Sequence, residues 1–455
     1  MRLPRRKLLL ASPGLLLPAT PRVHAANTIA WNSSDKSADI SLATNAYYGT
    51  NSGMYNPATA GWRSVRSTWN AGSGKHFFQV IVTRKEGNSG SAIVGVSDSS
   101  ATLASYCGSD SHGLGFQANN TYQGGSNLGA NAGRWTDYGT NVINLCIDRD
   151  NNRVKMQSMI LQGNNGLSST WYDGAGSSGD PTNTSFGTSI SGFSGNVYVM
   201  ASSFFQSANS GFDNPYILIN GGGWPFIPGT TVPSGYTPPD AAYPFTIPAG
   251  AHSFTTIGTS CTAYNNNMRI QATGQGALGT WRNNTTNAVL PAGCKAMFEV
   301  EWDNSRAQNN TTSYSQMVGV TLAVGASASI IWTGTGAVGA DPDGTWDYFR
   351  GGDVCAVVVR RDVNRMWGKV ISPHSSGYWN KNVSADPAAN VGGKDISGIS
   401  TDLYAPGIQL FSESTVTGTM NLGAMTFAQT LPSGIVSVED SFNSSARRSR
   451  GIILP

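Results

Sequence analysis

The feature that most constrains this chain is a set of landmarks that recur once, in the same order, roughly two hundred residues apart. Gly61-Trp62-Arg63 is answered by Gly279-Thr280-Trp281-Arg282, and His76 to Val80 by Ala296 to Val300. Ile93-Val94-Gly95-Val96 is answered by Met317-Val318-Gly319-Val320. The run Val142 to Arg153 matches Val354 to Arg365, with Asp150, Asn152 and Arg153 falling on Asp362, Asn364 and Arg365. Each series closes alike: Asn220, Gly222, Phe226 and Pro233-Ser234-Gly235 reappear as Asn421, Gly423, Phe427 and Pro432-Ser433-Gly434. A single recurrence at that spacing marks duplicated domains rather than a solenoid of short repeats.

The 455 residues exceed what one core usually serves. Charged residues are only 12% and Gly numbers 55, so the surface must be built from Gly, Ser, Thr and Asn, which is a turn-rich β composition. Short β-branched and aromatic runs alternate with Gly, Asn, Asp and Ser clusters, and no helical period is sustained. Asn144 to Val154 reads as two antiparallel strands joined by a tight turn. The expected fold is all-β, two tandem antiparallel two-sheet sandwiches over residues 27–239 and 240–438. The Pro-punctuated stretch from Thr230 to Pro248 reads as a semi-rigid linker, with the boundary near Asp240.

Residues 1–26 read as an export signal. Arg5-Arg6-Lys7 precedes leucine runs, and Val23-His24-Ala25 offers small residues for cleavage. The arginine pair is like that of a twin-arginine leader, although Pro4 precedes it and Pro13 and Pro18 interrupt the apolar stretch. No other stretch has the ~20 apolar residues of a membrane span, so the expectation is an exported protein, periplasmic or extracellular, with a virion component as the alternative. A net charge of +3 without a basic stripe gives no ground for nucleic-acid binding. Arg447, Arg448 and Arg450 in the 439–455 tail read as a solvated terminus. Five cysteines without a Cys-x-x-Cys pair favour neither zinc nor a disulfide framework. Cys146 and Cys355 read as buried hydrophobes, and a Cys261 to Cys294 bridge is conceivable after export.

Several of these segments resemble the bacterial and phage SPRY family. They are Ala30-Trp31-Asn32 with Ile40-Ser41-Leu42, Gly61 to Ser67, Gly74 to Phe78, Val94-Gly95-Val96, the Gly108-Ser109-Asp110 turn, and Pro225-Phe226 with Pro233 to Tyr236. The second copy lacks the opening Trp-Asn but keeps Phe298-Glu299-Val300, Val318-Gly319-Val320, Gly352-Asp353-Val354 and the final segment. The resemblance implies a concanavalin-like, jelly-roll sandwich and recognition of a protein or glycan through loops at one edge; a fold by itself names no partner.

Three places in the sequence could carry chemistry. Glu299, Glu301 and Asp303 alternate along one strand, and paired acids of that kind serve some glycosidases. The first copy has Gln79, Ile81 and Thr83 there, and the resemblance to SPRY modules, where a Phe-Glu-Val strand is ordinary, implies that the acids line the solvated face of a half-buried strand. Asp148, Asp150 and Asn152 have a calcium-loop spacing without the distal Glu, and a hairpin turn explains them as well. His24, His76, His112, His252 and His374 are dispersed, with no nucleophile elbow and no phosphate-cradling Gly loop nearby. No cofactor or metal is expected.

What remains is surface recognition. Gly163 to Gly187 and Ser372 to Asp395 are long polar loops at equivalent places, carrying Trp171-Tyr172 and Tyr378-Trp379. Such aromatics suit stacking on a sugar or anchoring in a protein pocket, or else they fold back to pin the loop. The reading is a non-catalytic, adhesin-like or phage-appendage-like binding protein for a glycan or surface protein. A glycan-active hydrolase using Glu299 and Glu301, and a purely structural appendage or coat subunit, are the alternatives.

Overall fold

The computed structural model describes residues 28–45, 49–56, 60–84, 92–117, 120–130, 139–160, 170–205, 215–227, 229–240, 252–258, 261–272, 281–290, 292–302, 316–322, 329–333, 353–371, 376–397, 404–411, 417–425 and 427–442. The expected leader, Asp303, His374 and residues 443–455 of the basic tail lie outside the described residues.

The described residues are nearly all β and form four sheets, whose named strands pair antiparallel except at one short closing strand. In the first half, sheet one runs β1 (Trp31–Lys36), β4 (Gly61–Ala71), β15 (Val197–Phe205), β6 (Ala92–Ser97), β7 (Gly113–Phe116), β8 (Asn120–Gln123), β9 (Ser126–Ala130). Sheet two runs β2 (Ser41–Asn45), β3 (Gly49–Tyr55), β16 (Tyr216–Asn220), β5 (Lys75–Arg84), β10 (Gly139–Asp148), β11 (Arg153–Ile160), β12 (Trp171–Tyr172), β13 (Ser178–Gly179), with β14 (Thr188–Ser189) also on β11.

In the second half, sheet three runs β17 (Phe254–Thr256), β20 (Trp281–Thr286), β27 (Tyr404–Phe411), β22 (Gln316–Leu322), β23 (Ser329–Thr333). Sheet four runs β18 (Cys261–Tyr264), β19 (Arg269–Ala272), β28 (Thr417–Asn421), β21 (Lys295–Trp302), β24 (Val354–Arg360), β25 (Arg365–Ile371), β26 (Lys394–Asp395), and β29 (Val436–Ser437) pairs parallel to β21. Strand order is therefore the same in both halves: β1-β4-β15-β6-β7 parallels β17-β20-β27-β22-β23, and β2-β3-β16-β5-β10-β11 parallels β18-β19-β28-β21-β24-β25.

The period-2 pattern explains the layers. Phe78, Val80 and Val82 on β5, Ile143, Leu145 and Ile147 on β10, and Ile217 and Ile219 on β16 point inward onto Val65, Val94, Val96 and Val199 of sheet one, closing one core. Trp31 is fully buried there, donating its indole N–H to the Ile217 carbonyl at 3.1 Å. The expected hairpin holds: Asp148 pairs Arg153, and Asn152 takes φ 51°, a left-handed value that Asn tolerates. Asn364 repeats it with φ 52°.

The outer face of sheet two is not left to solvent. Ala43, Ile81, Val142, Tyr216 and Leu218, with Trp224 and Ile227, belong to one contiguous buried cluster with the core of the second half, including Phe298, Val300, Trp302 and Ile408. Arg269 of β19 donates across to the carbonyls of Pro225 and Phe226, each at 3.1 Å. The stretch expected as linker from Thr230 packs, up to Asp240, on the first half. Val232 and Tyr236 join Phe77, Cys146 and Trp171 in a second outer-face cluster, because Tyr236 fills the space over those side chains. Between the two outer-face clusters lies a polar row across three strands, Gln79 Nε2 to Asn144 Oδ1 at 3.1 Å and Asn144 Nδ2 to Gln157 Oε1 at 2.8 Å.

Each half closes on a carboxylate. Asp240 accepts from Thr28 Oγ1 and from Ile29 N at 3.2 Å, while its own N–H reaches Gly221 O. Glu439 accepts from His252 N and His252 Nδ1, both at 3.1 Å, and its N–H reaches Leu422 O. Both tie the start of a first strand to the end of its half. The five cysteines are thiols, with no Cys261 to Cys294 disulfide. No helix among the described residues is long and apolar enough to cross a membrane.

Candidate functional site

Most of the residues that hinted at chemistry make bonds that hold the fold. Glu299 and Glu301 are both fully buried, which corrects the expectation of a solvated face. The closing segment folds over Glu299, whose two oxygens accept the N–H groups of Ala428 at 2.9 Å and Gln429 at 2.7 Å. Asp148 accepts from Asn151 N at 3.0 Å and Asp150 from Gly74 N at 2.6 Å, while Asn152 Oδ1 accepts from Arg149 at 2.8 Å. These bonds shape the β10–β11 hairpin turn and tie it to the turn before β5. No group of three or more metal-ligating side chains occurs among the described residues. His112 is bound to Asp98 at 3.0 Å, His252 to Glu439, and His76 sits against the Ser73 carbonyl and edge-on to Trp69.

The four loop aromatics part company. Trp171 forms the two-residue strand β12 and is only 6% exposed, edge-on to Phe77 with ring centroids 6.4 Å apart. Tyr172 beside it is half-buried and pairs with Met156. Trp379 opens a 3-10 turn, Trp379–Lys381, and is partly buried against Trp367 and Met297, with Lys369 Nζ 6.0 Å from its ring centre. Tyr378 is 47% exposed. Of the four, Tyr378 is the one that presents its ring to solvent.

The loop over 376–397 is held from beneath at many points. Asn380 is buried; its Oδ1 accepts from Gly368 N at 2.8 Å, and its Nδ2 donates to Gly392 O at 2.6 Å. Trp367 Nε1 donates to Val391 O at 2.7 Å, and Arg365 to Gly393 O at 3.2 Å. Asp386 and Val391 exchange backbone bonds at 3.0 and 2.9 Å. On this frame stand Tyr378, Val383 at 73% exposed and Val391 at 45%. Isolated exposed apolar side chains are ordinary on a surface, but three on one firmly braced loop form a presented feature.

The first-half loop has the same returns and a different face. Arg153 donates to Gly187 O at 3.1 Å as Arg365 does to Gly393. Ile190 N bonds Asn152 O as Ile396 N bonds Asn364 O. Its tip is polar: Asp173, Asp180 and Asn183 each accept from a backbone N–H two residues on or more, building successive Asx turns. Beneath it Lys155 is fully buried, donating to Tyr236 Oη at 2.6 Å and Pro181 O at 2.9 Å, with Asp148 Oδ2 at 3.5 Å. Burial holds the Lys155 ammonium below its ordinary range against the pull of Asp148, and pushes the Tyr236 phenol up. The sequence does carry a signal for this equivalence: Asp-Pro, five residues, Gly, two residues, Ile, at Asp180 to Ile190 and at Asp386 to Ile396.

No family model matches the chain, and no curated protein does. Among solved structures, the chain is similar over 42% of its length to the SPRY domain of human HERC1, at 12% identity and a TM-score of 0.27, covering 96% of that chain. It is similar over the same share to the PSpry domain of TRIM65, at 10% identity and a TM-score of 0.26, covering 90% of that chain. Stonustoxin is similar at 11% identity and a TM-score of 0.26, with 26% of that chain covered. Likeness of this degree carries no statement about what the chain binds.

Proposed function

We propose that this chain is a non-catalytic binding protein that engages a surface protein or glycan through the 376–397 loop of its second half. The observation that carries the reading is Tyr378, Val383 and Val391 standing exposed on a loop whose backbone is tied down from below. Preorganisation of this kind lowers the ordering cost of binding. Two branched aliphatic side chains beside one aromatic ring suit an apolar pocket on a protein better than the face of a sugar, which asks for rings and amide or acid partners.

The engagement of Glu299 by two backbone N–H groups supports a structural role for that acid over the hydrolase alternative. The halves are read as two copies of one SPRY-like module, of bacterial or phage type; their common strand order and matching closing carboxylates support the duplication. An adhesin-like or appendage-like role outside the cytoplasm fits the reading of residues 1–26 as an export signal.

The test is to screen the full chain against an immobilised glycan panel and a displayed peptide library, then repeat with Tyr378→Ala, Val383→Asp and the control Leu128→Asp at another exposed site. Ligands that bind the unaltered protein and the control but neither loop variant support the reading. Ligands indifferent to both loop variants, or sugar release abolished by Glu299→Gln, overturn it.

A further inference from the structure

We propose that each long loop is set by a buried cation seated under an Asp-Pro turn, and that Arg360 is the positioning residue of the exposed loop; this rests on reading that loop as the binding edge. Arg360 Nη1 donates to the carbonyls of Pro387 at 3.0 Å and Ala388 at 3.1 Å, while its other nitrogens grip Asp362 at 3.0 and 2.5 Å. In the first half Lys155 Nζ meets the Pro181 carbonyl at 2.9 Å. The turns themselves match, since Asp180 accepts from Thr182 N and Asp386 from Ala388 N, each at 2.8 Å.

The two cations reach this arrangement from different strands. Arg360 ends β24, where the matching residue of β10 is Asp148; Lys155 lies on β11, where the matching residue of β25 is Trp367. Inheritance of one ancestral side chain does not account for that exchange, whereas a requirement for a cation under the turn does. Stability alone would not select it either, because an apolar residue of similar volume often serves as well or better than a buried charge. What a multidentate donor adds is direction: it fixes where two carbonyls of an otherwise irregular loop must sit. Trp367, freed from carrying the cation, instead braces the loop through Val391 O.

The experiment is hydrogen exchange on the full chain, comparing Arg360→Gln, Arg360→Lys, Asp362→Asn and Val383→Asp. Arg360→Gln is expected to speed exchange at the Asp386 and Val391 amides by about tenfold or more while the β24–β25 ladder stays protected. Arg360→Lys restores part of that protection, and Asp362→Asn, which removes the ion pair but not the donors, leaves most of it. Unchanged loop exchange in Arg360→Gln, or equal acceleration in the ladder, overturns the proposal. Val383→Asp separates the two ideas: it keeps wild-type exchange, so if it also binds the selected peptides normally, the loop fails as a binding edge while the seat stands.

Discussion

Gln79 and Glu299 hold the same post in the two halves, each reaching from the outer face of a central strand to a backbone N–H of the closing segment: Ile227 N to Gln79 Oε1 at 2.9 Å, and Ala428 N to Glu299 Oε2 at 2.9 Å. The amide does with one acceptor what the carboxylate does with two. A pair of residues that differ in charge but share a task is better explained by closure of the fold than by reaction chemistry.

Glu299→Ala leaves two half-buried N–H groups without this acceptor and is expected to lower stability by about 1–3 kcal/mol, whereas Glu299→Gln keeps one acceptor and costs about half as much. Urea melts of the two variants beside the unaltered chain check this. Equal and negligible losses would mean that the closing segment is not held by this side chain.

Trp171→Ala removes a ring packed on Phe77 and is expected to cost about 3–5 kcal/mol. Tyr378→Ala, at a site 47% exposed, should fall within about 0.5 kcal/mol of the parent. Thermal unfolding distinguishes them, and the reverse ranking would contradict the packing described for the two loops.

His112 and Asp98 make stability depend on pH. The hydrogen bond to Asp98 raises the His112 pKa. Burial pushes the Asp98 carboxyl up, but hydrogen bonds from His112, Ser194 and Ser100 outweigh it and hold the group below its ordinary range. The histidine contribution is complete below its unfolded value of about 6.5 and fades as pH rises through the higher folded value. The aspartate contribution is present above its unfolded value of about 3.9 and is lost as pH falls through the depressed folded value. Melting temperatures measured across neutral pH should decline with rising pH in the parent and lose that component in His112→Asn.

Asp240→Ala breaks the tie between the end of the first half and Thr28 and Ile29. A loss of about 2–3 kcal/mol is expected, with exchange quickening first at the amides of β1. Glu439→Ala should do the same at the start of β17, where His252 is the partner. Protection of both strands unaltered in these variants would show that the carboxylates close nothing.

Much of this was readable in the residues. The hairpin at Asp148 to Arg153 announces itself by apolar runs on either side of Asp and Asn, because only a few residue types accept its left-handed corner. The Asn220 and Asn421 motifs were visible too: each side chain accepts from the N–H two residues on, at 2.9 Å, and donates to a carbonyl four residues on. The covering of the outer faces was not readable. Alternation along β5 or β21 tells which side chains oppose each other, not what lies over the second face, so Glu299 looked solvated and Ile81 unremarkable. Trp171 was hidden for the same reason: a Trp among Gly and Ser can face out or in, and only the space over Phe77 and Cys146 decides.

The wall formed by Ala43, Ile81, Val142, Tyr216 and Leu218 has a consequence for how this chain can change over time. Because that wall is greasy and its far side is supplied by the other half, neither half can be deleted, shuffled or loaned to another gene without baring a sticky surface. The loops, anchored through Arg153 and Arg365 rather than through that wall, are free to diversify while the pair behind them must drift in step.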